Sequence, residues 1–445
     1  MRTLFLLLLV FPLVVVACGD DDDDDDDSSP DDDDADDDDA ADDDTLDDDT
    51  TDDDTGDDDL EPRSFALSAA PYQYEFGPWS IGDTFDVTGF EGRIDLLSVH
   101  QDFFGLPWTE FAAGEDPPAS WAAVMGEIRA MAQTLGVEVF LSVTPLSGMR
   151  DGLAPLAREE GGELVVDEDW NPGCFDFDAS PGAAEIRTAY RNYVRWMIDF
   201  FEPPYVNHGI EMNMYDLSCP EQYDSLIGLV NEVYEQEKFI APERVIFPSF
   251  TIDHLWGFED NGDCDFGERR CLEEALARNA SIERDRIGIS NYPLWLIDYA
   301  PGGLPDDYYS AVTELTGETV VFAEIGVSSQ SVVMPYPTLA DPCFELLPSD
   351  ETTQAAFMQE LFVQADELGS DLLCWWSLRD FLTADVLDNC PCQAPGLWCT
   401  LYEAVYDIGL LGAWLMWGSM GIVDYDQNAK ASLDVWDRWL ARPIE

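Results

Sequence analysis

Eight short apolar runs, most of them separated by helical patterns, constrain this sequence more than any other feature. They are "SFALSAAPY" (64–72), "IDLLSVH" (94–100), "VEVFLSVTP" (137–145), "YVNHGIEMN" (205–213), "RVIFPSF" (244–250), "RIGISNYP" (286–293), "TVVFAEIG" (319–326) and "DLLCWWSL" (371–378). The runs are nearly continuous in apolar residues rather than alternating, as strands covered on both faces require. Between them, 119–136 ends in Gly136, a C-terminal helix signal. Segment 183–201 sets Ile186, Tyr190, Val194 and Met197 on one helical face, and 350–370 reads as the helix before the eighth run. Eight β/α units in roughly 380 residues predict an α/β fold, a (β/α)8 TIM barrel with long loops. The competing architecture is a doubly wound open sheet, which the lack of a glycine-rich phosphate loop after any strand disfavours. The Cys- and Trp-rich stretch 382–418 reads as the loop after the eighth strand, with a closing helix at 430–441.

The N-terminal residues read differently. Residues 1–18 begin with Arg2, run through an apolar stretch too short to span a membrane, and end in small residues before Cys18. The ending "VVAC" resembles a bacterial lipobox, which implies cleavage before Cys18 and lipid attachment there; an ordinary signal peptide is the alternative. Residues 19–62 hold 28 Asp between Asp20 and Asp59. Such a segment repels itself and has nothing to bury, so a disordered acidic linker is expected. Its "DDDT" units lack the glycine and ligand spacing of a calcium loop. The expected organisation is therefore signal 1–18, linker 19–62 and barrel domain 63–445. The protein would be exported and lipid-anchored to a bacterial membrane, at the cell surface or in the periplasm, touching the bilayer through its lipid alone.

Residues 60–445 keep 66 of the 94 acidic residues and 19 of the 20 basic ones, a net charge of −47. Nucleic acid and anionic lipid surfaces are poor partners for such a domain. An exported chain can keep disulfides. Of nine cysteines beyond Cys18, Cys264 and Cys271 bracket a short loop and form a plausible pair, and Cys374, in an apolar strand, is the expected odd thiol. Zinc at Cys390 and Cys392 is the weaker alternative, because the chain has only three histidines.

In a barrel of this kind reactive groups lie at the C-terminal strand ends. Two carboxylates stand there inside apolar runs: Glu211 on the fourth and Glu324 on the seventh. A carboxylate in such a place is costly unless paired or functional. Two of them facing each other suit glycoside hydrolysis, one giving a proton to the leaving oxygen and the other attacking as nucleophile. The motifs "GIEMN" (209–213), "DRIGISNYPLW" (285–295) and "VVFAEIG" (320–326) resemble those of the clan A (4/7 superfamily) retaining glycoside hydrolases, and within it the family 53 arabinogalactan endo-β-1,4-galactanases. The closing segment "SMGIVDYDQNAKASLDVWDRWL" is similar to that of many clan A barrels.

That resemblance implies Glu211 as acid/base and Glu324 as nucleophile. The sequence departs from the pattern at Ile210, where these enzymes usually carry Asn; Asn213 follows two residues after the glutamate. Further candidate sugar-contacting residues are Tyr292, His100 (with Asp102), Trp375, Trp376 and Trp256 (with His254), each of which could instead be a packing residue. One of Trp375 and Trp376 must face the barrel and the other the helices. Trp108, Trp170 and Trp295 are weaker candidates for stacking on sugar. The expected function is retaining hydrolysis of β-linked poly- or oligosaccharides by a monomer that needs no cofactor or metal. The alternatives are a catalytically inactive carbohydrate-binding lipoprotein on the same barrel and a structural surface protein. A serine hydrolase is disfavoured because no G-x-S-x-G elbow occurs.

Overall fold

In the computed structural model of the chain, the residues described are 60–71, 87, 89–101, 105–167, 170, 172–258, 264, 266–293, 304–335, 343–347, 349–380 and 417–445. The signal candidate with Cys18, residues 19–59 of the linker candidate, Asp102, Trp295 and residues 382–416 of the loop after the eighth strand, with Cys390 and Cys392, lie outside them. All eight expected strands are present: β1 (Ala66–Ala69), β2 (Leu96–Gln101), β3 (Glu138–Val143), β4 (Tyr205–Asn207), β5, β6 (Ile287–Asn291), β7 (Val320–Ile325) and β8 (Leu372–Trp375). All pair in parallel.

The fifth strand is where the ring closes. Pro248 cannot donate to a ladder, so it splits β5 into Val245–Phe247 and Ser249–Thr251. The first half pairs with β4 and the second with β6. The sheet therefore begins and ends on two halves of one strand, running 5–4–3–2–1–8–7–6–5. Backbone bonds carry the pairing past the proline: His208 N–H donates to Phe247 O at 3.0 Å, Ser249 N–H to Gly209 O at 2.9 Å and Gly288 N–H to Pro248 O at 3.0 Å. Position 288 must be glycine, because a Cβ there would lie 2.8 Å from Pro248 O.

Helices follow the strands on the outside: α1 (Ala119–Leu135), α2 (Ala183–Phe201), α3 (Tyr223–Ile240), α4 (Arg269–Arg278), α5 (Ser310–Thr316), α6 (Glu351–Glu367) and α7 (Ala431–Leu440). Gly136 caps α1 in the left-handed conformation (φ 72°), as its position predicts, and the Asp350 side chain caps α6 by accepting from Thr353 N–H. Ile186, Tyr190, Val194 and Met197 of α2 are all buried against the barrel. Buried Glu237 of α3 is matched by Arg195 of α2 at 2.7 Å. Two antiparallel hairpins, which the apolar runs did not reveal, pair 156–160 with 163–167 and 332–335 with 343–347.

The barrel interior is layered. Ala66, Leu96, Phe140, Phe247, Val321, Ala323, Leu372 and Cys374 form an apolar floor. One step further along the strands the inward positions turn polar: His100, Ser142, Asn207, Ser249 and Ser290, with Trp376 beside them. The register of β7 against β6 shifts between Phe322 and Glu324, which lets Glu324 join this layer where strict alternation would have turned it outward.

The fourth strand ends at Asn207, short of the expected 213. The apolar residues that extended the run, Ile210 and Met212, are buried in a turn and in a short helix (Met212–Ser218) instead. The Cys264–Cys271 pair forms, and Cys374 is a buried free thiol that burial pushes up to about 12. A second disulfide, Cys174–Cys219, ties the end of that short helix to the loop after β3. Its 45-residue span limits the entropy of the unfolded chain, which the loop-entropy model values at about 4 kcal/mol. A Cys174→Ala/Cys219→Ala variant should therefore lose roughly 2–4 kcal/mol in urea unfolding; an unchanged midpoint would contradict that role.

Candidate active site

The polar layer gathers at the C-terminal mouth of the barrel around Glu324, itself only 7% exposed. A carboxylate buried this far needs partners, and both its oxygens have them. Tyr292, just past β6, donates its phenol O–H to Oε1. His100 at the end of β2 brings Nδ1 to 3.4 Å from Oε2. The Trp376 ring packs edge-on against His100, with centroids 5.3 Å apart. Tyr292 is held protonated well above the usual phenol range, first by burial, then by the charge and hydrogen bond of Glu324, and then by the charge of Glu211. The phenol thus serves as a hydrogen-bond donor to Glu324.

Glu211 reaches this mouth from a turn rather than from a strand. It stands in the left-handed conformation (φ 50°, ψ 47°) at the start of the short helix Met212–Ser218. Its Oε2 lies 3.3 Å from the Arg150 guanidinium. Arg150, 3% exposed and also at positive φ (55°), belongs to the loop after β3, where its guanidinium donates to Ser147 O at 2.9 Å. No local pattern singled out Arg150; its one sequence signal is a basic residue in a glycine-containing loop after a strand.

The remaining candidates separate into two groups. Trp376 faces the barrel, and its buried indole N–H has no hydrogen-bond partner among the described residues. Trp375 faces the helices: its N–H donates to Met420 O at 2.8 Å and its ring packs on Phe357 of α6. Trp256 is 1% exposed, stacks on Tyr308 and donates to Tyr308 O. Asn213 exchanges two hydrogen bonds of 2.9 Å with the Thr251 backbone and so secures the turn to β5. Asn213 and His254 line a cavity of about 190 Å³ that includes neither carboxylate. Trp108 and Trp170 stack on each other. A residue not singled out from the sequence, Trp417, packs its ring 6.1 Å from Tyr292, and its indole N–H also has no partner among the described residues.

The segment that carries Trp417 is anchored from below. Lys430 Nζ contacts Asp380 at 2.5 Å, Ser329 Oγ at 2.8 Å and the carbonyls of Ser419 and Gly421. Burial pushes Asp380 up to about 7 and Lys430 down. Gln354 of α6 donates to the carbonyls of residues 419–421 as well. Among the described residues, one group has metal-ligand proximity, Cys264, Glu268 and Cys271, but its two cysteines are joined in a disulfide and offer no thiolate.

His208, three residues before Glu211, is fully buried; its Nε2 lies 3.2 Å from Val230 O, and burial lowers it to about 4. The unfolded chain takes up this proton near pH 6.5 and the folded one only near 4, so stability is complete above pH 6.5 and is lost as the pH falls towards 4, by up to roughly 3 kcal/mol. Urea unfolding at pH 7 and pH 4.5 should show His208→Gln losing roughly 2 kcal/mol less than the parent over that interval. Equal losses would contradict the buried neutral imidazole.

No protein-family model matches the chain, and no curated protein is similar to it in sequence. Solved structures are similar in fold. A GH5_18 protein from Bifidobacterium longum subsp. longum, solved in complex with Manb1-4GlcNAc, superposes with a TM-score of 0.50 at 12% identity over 86% of this chain and 80% of its own. The exo-beta-1,4-mannosidase Op5Man5 from an Opitutaceae bacterium gives 0.49 at 12% identity over 85% of this chain and 59% of its own. A Ruminococcus gnavus beta-glucuronidase gives 0.41 at 14% identity over 85% and 51%. The chain thus spans between half and three-fifths of the length of the last two. At this identity the likeness is one of fold: the chain is a TIM barrel.

Proposed function

We propose that the barrel is a retaining glycoside hydrolase acting on β-linked poly- or oligosaccharides. The observation that carries this reading is Glu324 itself, a carboxylate only 7% exposed at the barrel mouth and held by the Tyr292 phenol and His100. Two carboxylates thus share one barrel mouth, each with a different partner: a phenol and an imidazole at Glu324, a guanidinium at Glu211. Different surroundings let two like groups take different roles.

In the proposed reaction Glu324 attacks the anomeric carbon while the bond from that carbon to the leaving oxygen breaks. Glu211 delivers its proton to that oxygen. Glu211 then takes a proton from water, whose oxygen attacks the same carbon and releases Glu324. Tyr292 orients the attacking carboxylate. The Arg150 cation faces Glu211 once it has become an anion. Trp376 and Trp417 offer aromatic faces, and indole N–H groups unpartnered among the described residues, to a sugar at this mouth. The resemblance of 285–295 to family 53 makes β-1,4-galactan the first polymer to assay. Attachment through Cys18 would display the domain on an acidic tether.

A second reading, a non-catalytic carbohydrate-binding protein, draws on Ile210, a fully buried aliphatic residue where Asn is usual. Activity separates the two. On aryl β-glycosides and plant or algal polysaccharides, Glu324→Gln should lower kcat on the order of 10³-fold or more and Tyr292→Phe by roughly 10²-fold with little change in KM. Proton NMR of the first-formed sugar should show the β-anomer. Binding of glycans without turnover of any would favour the second reading, and an α-anomer would exclude retention.

A further inference from the structure

Glu211 is a non-glycine residue held at φ 50°, a conformation that costs an ordinary side chain on the order of 1 kcal/mol and persists only where neighbours impose it. The neighbours that impose it here are Ser249 and Asn207. The Glu211 N–H donates to Ser249 Oγ at 3.1 Å. The Asn207 side-chain amide donates to the same oxygen at 3.0 Å, and its carbonyl oxygen accepts from Gly209 N–H at 3.3 Å. The Ser249 N–H in turn donates to Gly209 O at 2.9 Å. Both side chains are buried, Ser249 at 0% and Asn207 at 1% exposure.

The turn is tied at its other end as well. Asn213, at the far side of the turn, is fixed to Thr251, two residues after Ser249. The second half of β5 therefore grips the Glu211 turn on both sides, and the Ser249 hydroxyl is the contact made to Glu211 itself. Removing that oxygen would orphan the Glu211 N–H and the Asn207 amide together.

We infer that Ser249 is a positioning residue for the proton-transfer role of Glu211: its Oγ, oriented by Asn207, sets the backbone from which the carboxylate reaches the leaving oxygen. The inference rests on the acid/base assignment proposed above. Proton delivery matters for a basic leaving group and little for an activated one, whereas general damage to the barrel slows both.

The test compares kcat/KM, which reports the steps up to departure of the leaving group and not the later water attack that Glu211 also assists, for the parent, Ser249→Ala and Glu211→Gln on two β-glycosides of one sugar, with phenol and with 2,4-dinitrophenol as leaving groups. Ser249→Ala should lower kcat/KM for the phenyl glycoside about 10–100-fold, as expected for a displaced catalytic group, with kcat/KM for the dinitrophenyl glycoside within about threefold of the parent. Ser249→Cys, similar in volume but a weak acceptor, should show the same split and serves if the alanine variant fails to fold. Equal slowing of both substrates by the Ser249 variants, or no slowing, while Glu211→Gln shows the split, would overturn the inference and leave the acid/base assignment standing. Absence of the split in Glu211→Gln would overturn the assignment and the inference with it.

Discussion

Closure of the barrel through a broken strand is the constraint on which the rest depends. Pro248 divides β5, so one strand both opens and closes the ring of eight. The same break sets Ser249 and Thr251 on the segment that holds the Glu211 turn. The device that completes the sheet is thus also the one that presents a carboxylate at its mouth. The close approach of β5 and β6 requires glycine at 288, and β6 carries the chain on to Tyr292. A disulfide at Cys219 and the Asn213 side chain hold the same region from its other end.

Electrostatics then divide the mouth into two environments. Glu324 is deeply buried and meets a neutral phenol and an imidazole; Glu211 is more exposed and meets a guanidinium. The domain carries a net charge of −47 over residues 60–445, so a buried arginine facing a carboxylate at the barrel mouth is a local exception to the acidic whole. The acid-rich surface adds the repulsion of a highly charged fold and keeps it soluble. It does not reach the barrel interior, which is apolar below the polar layer.

The barrel was legible in the sequence because strands covered on both faces must read as continuous apolar runs, and all eight did. The same logic misjudged the end of β4. Ile210 and Met212 are as buried as strand residues but lie in a turn and a helix, and burial alone does not distinguish the two. Glu211 and Glu324 stood out because each interrupts an apolar run. Arg150 and Ser249 did not: they meet Glu211 from 61 and 38 residues away, and neither is unusual among its sequence neighbours. Which of Trp375 and Trp376 faces inward depended on the pairing of β8 with β1, where Ala69 lies opposite Trp375. Asn213, Trp375 and Trp256 looked like sugar contacts by position, but their polar atoms are taken up by backbone groups.

The account turns on Glu324 as the group that bonds to sugar. Incubating the protein with an activated 2-deoxy-2-fluoro β-glycoside of a sugar it turns over, followed by proteolysis and mass spectrometry, is the measurement that bears on this role. The account predicts one fluoroglycosyl adduct, on the peptide containing Glu324 and absent from Glu324→Gln. An adduct on another carboxylate, or steady turnover of the parent glycoside with no adduct formed, would contradict it.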